Sequence, residues 1–186
     1  MRTKKAMLLG VILLLVVLLG ACAAPAPETV TFPDENMEAA IRDALGKPAG
    51  EAKTPAELAG LTQFAATMQG ITDLSGIEYC INLTVLNLWG NPTSDISPLA
   101  SLTNLTMLNL MGNEISDLSP LASLTNLTWL YLHGNQISDI SPLVENSGLG
   151  TGDIVILRLN NLDLSEGSED LENIRQLEGR GVEVYY

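Results

Sequence analysis

The chain repeats itself every 22 residues, and that period constrains its fold more than any other feature. The stretch from Leu83 to Asn91 returns as Leu105 to Asn113 and again as Leu127 to Asn135. The stretch from Ser94 to Leu99 returns as Ser116 to Leu121, then as Ser138 to Leu143. A weaker copy starts at Leu61, with Phe64, Ala66, Gln69, Ile71, Asp73, Leu74, Ile77 and Cys80 in the corresponding slots. A fifth, degenerate copy carries Val155, Leu157, Asn160 and Leu162, displaced by extra residues near Gly148 to Asp153. Self-similarity at such a period marks a stacked-repeat architecture.

One copy offers roughly seven aliphatic side chains, each worth about 1.5–3 kcal/mol when buried. Ordering each of its backbone units costs about 1–2 kcal/mol. A single copy therefore cannot fold alone, and stability must come from stacking on neighbours. The alternation at Leu86 and Leu88 predicts a short strand with leucines inward and Val85, Asn87 and Trp89 outward. Asn91, Asn113 and Asn135, with Asn160 in the last copy, are expected to form an internal ladder that pairs turn backbone groups. Ser97-Pro98, Ser119-Pro120 and Ser141-Pro142 read as a cap followed by proline at the start of a short helical turn. Cys80 takes the slot of Leu102 and Leu124, so its thiol is expected to be buried and inert.

The pattern LxxLxLxxNxIxDIxPLxxL resembles the leucine-rich repeats of internalins and of a eukaryotic phosphatase regulatory subunit, over about 61–164. The resemblance implies an α/β solenoid: a right-handed superhelix of about five repeats with a parallel, concave sheet.

A solenoid needs covers at both ends. Asp34 is placed to cap a helix whose apolar stripe is Met37, Ile41, Ala44 and Leu45, ending at Gly46. Thr54-Pro55-Ala56-Glu57 is a capping box that opens a second short helix. The pair, within 30–60, resembles the helical amino-terminal cap of internalin-like proteins. In 165–186, Ser168 starts a helix carrying Leu171, Ile174 and Leu177, stopped by Gly179. Val182, Val184 and Tyr186 then alternate as a last strand that closes the sheet edge.

The first residues read as an address. Arg2, Lys4 and Lys5 precede an apolar or glycine run from Ala6 to Gly20, too short for the roughly 17–25 residues of a membrane-spanning helix. Residues 1–21 have the three regions of a secretory signal peptide. Leu19-Gly20-Ala21-Cys22 resembles the bacterial lipobox, which implies lipidation of Cys22 and stable membrane anchoring. Residues 22–29 are then the lipidated cysteine and its tether. A conventional signal cleaved near Ala21 or Ala23 (a secreted protein) and a retained membrane anchor are the alternatives. Starting at Cys22, the chain would keep 6 lysines and arginines against 22 aspartates and glutamates. Such a surface repels nucleic acid. Two cysteines in different contexts make no disulfide framework.

Stacked strands lie about 4.8 Å apart, so outward residues at equivalent positions form rows across the concave sheet. One row is Val85, Met107, Trp129, Ile154; the next is Asn87, Asn109, Tyr131, Ile156; the third is Trp89, Met111, His133, Arg158. Both tryptophans and the only histidine lie in this grid. Trp, Tyr, Met and Arg are enriched at protein interfaces, although outward strand positions also favour aromatics by propensity alone. Asp73, Asp95, Asp117 and Asp139 form a second row on the turn side. They offer either oxygen ligands for Ca²⁺ or acceptors for local backbone bonds.

No catalytic group, metal or cofactor is expected. His133 has no partner histidine or reactive cysteine, and no phosphate-cradling loop or zinc-ligand spacing occurs. The sequons at Asn82, Asn104 and Asn126 are by-products of the repeat. The expected function is recognition of a protein or other surface ligand at the cell envelope by a monomer. Its contacts lie on the concave face: Trp89, Met107, Met111, Trp129, Tyr131, His133 and Arg158. The alternative is a structural envelope protein without a specific partner.

Overall fold

A computed structural model describes residues 28–186. The expected signal peptide over 1–21, the expected lipidation site Cys22 and most of the expected tether lie outside the described residues.

Six three-residue strands form one parallel sheet in the order β1 (Gln63–Ala65), β2 (Val85–Asn87), β3 (Met107–Asn109), β4 (Trp129–Tyr131), β5 (Ile154–Ile156) and β6 (Glu183–Tyr185). The sequence period sets the register: Leu86 pairs with Leu108 and Leu108 with Leu130. After β4 the step lengthens, Trp129 pairing with Ile154 and Ile154 with Glu183. Across the core lie 3-10 helices at Ile77–Tyr79, Ser97–Ser101 and Ser119–Leu121. The helix α3 at Ser141–Glu145 continues that wall. Leu86, Leu108 and Leu130 are at most 1% exposed, and with Leu88, Leu110 and Leu132 they belong to one continuous core.

Three polar ladders join successive copies, and a fourth recurs within each copy. In the first, Asn91 Oδ1 accepts from the amides of Gln69 and Ile71 at 3.1 and 3.0 Å. Its Nδ2 donates to the carbonyls of Ala66 and Leu88 at 2.8 and 2.9 Å. Asn113, Asn135 and Asn160 repeat the arrangement in their own copies. The expected asparagine ladder is therefore present, pairing backbone groups that the turns would strand in the core.

The second and third ladders use the sequon residues. Asn82, Asn104 and Asn126 donate from Nδ2 to the carbonyls of Ala59, Ile81 and Thr103. Thr84, Thr106 and Thr128 donate from Oγ1 to Thr62, Thr84 and Thr106. In the fourth, Asp73, Asp95, Asp117 and Asp139 each accept from the amide two residues on, at 2.8 Å. Asp163 does the same for Ser165.

That fourth ladder corrects the expected serine caps. Ile96, Leu118 and Ile140 occupy the cap positions and make no side-chain cap bond, while Ser97, Ser119 and Ser141 are already the first helical residues. The aspartate reaches the amide that the serine was expected to leave to its own turn.

At the amino-terminal end, α1 (Glu35–Leu45) begins at Asp34 and ends at Gly46, whose φ is 65°. Only glycine reaches that left-handed conformation without steric cost. Its buried face is Met37, Ala40 and Ile41; Ala44, expected on that stripe, is exposed. The second oxygen of Asp34 accepts from Thr72 and Asp73, tying the helix to the first copy. The capping box of Thr54 and Glu57 forms as expected and opens α2 (Pro55–Leu58).

At the other end α4 (Glu169–Gly179) is capped by Ser168, packs Ile174 and Leu177 into the core, and runs through Gly179. The left-handed exit residue is Gly181. Tyr186 is 47% exposed rather than an inward strand residue, and β6 is itself the outer edge of the sheet.

Candidate functional site

The outward faces of β1 to β6 carry Gln63 and Ala65, Val85 and Asn87, Met107 and Asn109, Trp129 and Tyr131, Ile154 and Ile156, Glu183 and Tyr185. Backbone pairing continues past the strand ends. The amides of Gly90, Gly112 and Gly134 donate to Met111, His133 and Arg158 at 2.9 Å. Trp89, Met111, His133 and Arg158 therefore form a third row in register with the other two. All seven expected contact residues thus share one face.

Trp129 and Trp89 are 42% and 38% exposed, unusual for rings that bury well. The Trp129 and Tyr131 rings meet at 6.4 Å, tilted by 33°. Met107, Met111, Tyr131 and His133 are half-buried against their row neighbours, and Arg158 is exposed. His133 Nδ1 is buried without a hydrogen-bond partner. Asn87 and Asn109, midway across the face, accept from the amides of Trp89 and Met111 at 3.1 Å. They hold the backbone of the third row.

The face is almost free of carboxylates. Its one outward strand carboxylate is Glu183, and that accepts the Tyr185 hydroxyl at 3.1 Å. Arg158 stands 5.7 Å from the centroid of the Tyr185 ring, within cation–π range.

Two residues belong to this edge and escaped the sequence reading. Met68 and Leu159 sit in the slot that Gly90, Gly112 and Gly134 fill in the middle copies. Both adopt left-handed backbone, with φ of 54° and 58°, and both are exposed, at 68% and 82%. Aligning the copies would have exposed them, since a large residue in a left-handed slot costs about 1–2 kcal/mol.

Elsewhere the chemistry is quiet. Cys80 is fully buried, and burial with the nearby Glu78 charge pushes its thiol up to about 12. The Asp117 carboxyl is held below its usual range by the Ser119 hydroxyl and amide. Among the described residues, no three or more histidines, cysteines or carboxylates gather as a metal site. Among them, too, no helix is long and apolar enough to cross a membrane.

A family model for Leucine Rich repeats (2 copies) matches residues 81–123 and 103–145. The fold is that of a leucine-rich-repeat solenoid. The chain is similar to an internalin, inlF, of Listeria monocytogenes, with 28% identity and a TM-score of 0.59 over 83% of this chain and 56% of that one. Internalin C2 of the same organism gives 29% identity and a TM-score of 0.58, covering 87% of this chain and 80% of that one. The functional domain of InlJ from Listeria monocytogenes gives 28% and 0.66, covering 74% and 30%. The solenoid thus spans just over half of the first internalin and less than a third of the last. No curated protein matches the chain.

Proposed function

We propose that this internalin-like solenoid is an exported protein of the bacterial envelope, lipid-anchored through Cys22, that binds a protein or other surface ligand on the outer face of its sheet as a monomer. The observation that carries the proposal is the character of that face. Exposed tryptophans, a tyrosine, methionines and isoleucines stand on a rigid parallel sheet, and the chain's many carboxylates are almost excluded from it. A contiguous apolar patch on an acidic molecule marks an interaction surface. Large aromatics on a fixed backbone give contact area with little ordering cost. The lipobox-like tetrapeptide and the likeness to internalins support the location.

Replacing Trp129 and Tyr131 by alanine is expected to abolish capture of surface partners while leaving the thermal melt almost unchanged, because neither ring is in the core. Equal capture by the double variant refutes the assignment. The anchor is tested separately. Intact mass of the membrane fraction should show a lipidated fragment beginning at Cys22, and Cys22→Ala should release the protein into the medium.

A further inference from the structure

Nine lysines and arginines face 22 acids in this chain, so an arginine without a carboxylate is out of place. Among the described residues Arg42 and Lys53 pair with Glu38, Lys47 with Glu57, and Arg175 with Glu166. Arg180 donates to the Asn146 carbonyl at 3.4 Å. Arg158 pairs with nothing charged there, and no acid precedes Glu28 to reach it from the residues outside. Its guanidinium is instead held over the Tyr185 ring, and that ring is fixed in turn by the bond from its hydroxyl to Glu183. A stacked guanidinium keeps its in-plane N–H donors free, in a fork that matches a carboxylate.

Beside Arg158 a small cleft is lined by Leu159, Leu162, Leu164 and Tyr186. Leu159, Leu164 and Tyr186 are all substantially exposed. The cleft beside the cation is therefore mainly apolar, with Asn160 its polar member, and the cation is oriented by the ring without a carboxylate partner among the described residues.

We propose that Arg158 is the anion receptor of this face, and that the partner is a protein segment bringing an aspartate or glutamate flanked by apolar side chains. The carboxylate would meet the guanidinium fork while its neighbours cover the leucine cleft and the Trp129–Tyr131 pair. Distant acids of the solenoid oppose such a partner little, because charges beyond about 8 Å are screened at physiological salt. The proposal rests on the outer face being the binding surface.

The test uses a phage-displayed library of random peptides, selected on the full chain and on its Arg158→Glu variant. Binders to the parent are expected to be rich in aspartate or glutamate beside apolar residues. Binders to the charge-reversed variant should turn to lysine and arginine. Individual acidic peptides should lose about tenfold or more in affinity against Arg158→Gln, the loss of a charge-assisted contact. The melt should stay unchanged, because the Arg158 side chain is exposed. Peptides that need Trp129 and Tyr131 yet bind Arg158→Gln equally well overturn the acidic partner and leave the face intact. A selection with no peptide sensitive to Trp129 and Tyr131 overturns the face itself, and this proposal with it.

Discussion

Thr93 is fully buried in the slot that Ile71, Ile115 and Ile137 fill in the other copies, and its hydroxyl answers a defect one residue earlier. Where the repeat is regular, an amide of each copy donates to the copy before it: Glu114 to Thr93, Gln136 to Ile115, and Asn161 to Ile137. Pro92 holds that position in its copy and has no N–H to give. The Ile71 carbonyl would be stranded, and Thr93 Oγ1 donates to it at 2.8 Å. Thr93→Val keeps the shape and removes the donor. Leaving a buried acceptor unpaired costs about 1–3 kcal/mol, and the added methyl returns up to about 0.8 kcal/mol. The net loss of about 0.2–2 kcal/mol should lower Tm by up to roughly 8 °C for a domain of this size. Restoring the regular pair with Pro92→Gln and Thr93→Ile together should recover most of that loss. The replaced amide again reaches Ile71, less about 0.4–1 kcal/mol for releasing proline in the unfolded chain. Circular dichroism melts of the parent, Pro92→Gln, Thr93→Ile and the double variant close the cycle, with Thr93→Val measured beside them. A Thr93→Val protein that melts at or above the parent, or a double variant with no recovery, refutes the compensation.

Asn113→Leu should destabilise although it adds apolar surface. It strands the buried Thr93 amide, whose acceptor is Asn113 Oδ1, and takes one donor each from the Leu88 and Leu110 carbonyls, which keep those of Asn91 and Asn135; at about 1–3 kcal/mol for the unpaired amide the melt should fall by several degrees. Gly148→Ala should fail to fold natively, since an added Cβ would lie 1.9 Å from the Thr125 carbonyl oxygen; native exchange protection around Asn146 in the variant would refute this. Glu57, hydrogen-bonded first by Lys47 and then by Thr54, has its carboxyl lowered to about 2. A carboxyl lowered by folding stabilises above its unfolded value and loses that stability as pH falls through the folded one. The melt should therefore drop between roughly pH 4.5 and 2, and Glu57→Gln should flatten part of that slope. Cys80 should resist a thiol reagent in the native protein and react at the unfolding midpoint; fast native labelling would contradict its burial.

Equivalence between copies was legible in the sequence, and everything that follows from equivalence was correct: strand positions, register, inward leucines, the asparagine ladder and the three outward rows. A period says which residues stack. It does not say which hydrogen bond each makes between copies, because those bonds join residues about one period apart. The sequons recur because their asparagines and threonines build two of the three ladders between copies. The serine turns are a local matter that the period does not decide: the aspartate two residues earlier accepts from the serine's own amide, and no serine side chain caps the turn. The departures from the period carried information that the period hid. Pro92 with Thr93, Met68 and Leu159 in a glycine slot, and Asn146 with its Nδ2 on the Leu121 and Leu124 carbonyls are all positions where one copy breaks step. At the last strand, alternation of Val182, Val184 and Tyr186 suggested a closed edge. With no further copy stacked on β6, however, there is nothing to bury Tyr186.

The three middle copies supply an internal control on the face. Their inward strand residues are identical, Leu86 with Leu108 and Leu130, then Leu88 with Leu110 and Leu132. Their outward residues differ in every row: Val85, Met107 and Trp129; Asn87, Asn109 and Tyr131; Trp89, Met111 and His133. The same backbone, at the same register and with the same neighbours below, imposes one side chain inward and tolerates three outward in the first and third rows; in the middle row Asn87 and Asn109 match and Tyr131 departs. Strand propensity alone would favour β-branched and aromatic residues in every copy, and methionine at 107 and 111 is neither. Because the core and the ladders hold the backbone without the outer rows, those rows are free to be set by what touches them. On the proposed function, stability and recognition reside in different side chains of the same three-residue strands. Variants of Trp129, Tyr131 and Arg158 should accordingly change binding at constant Tm, and variants of the ladders should change Tm first.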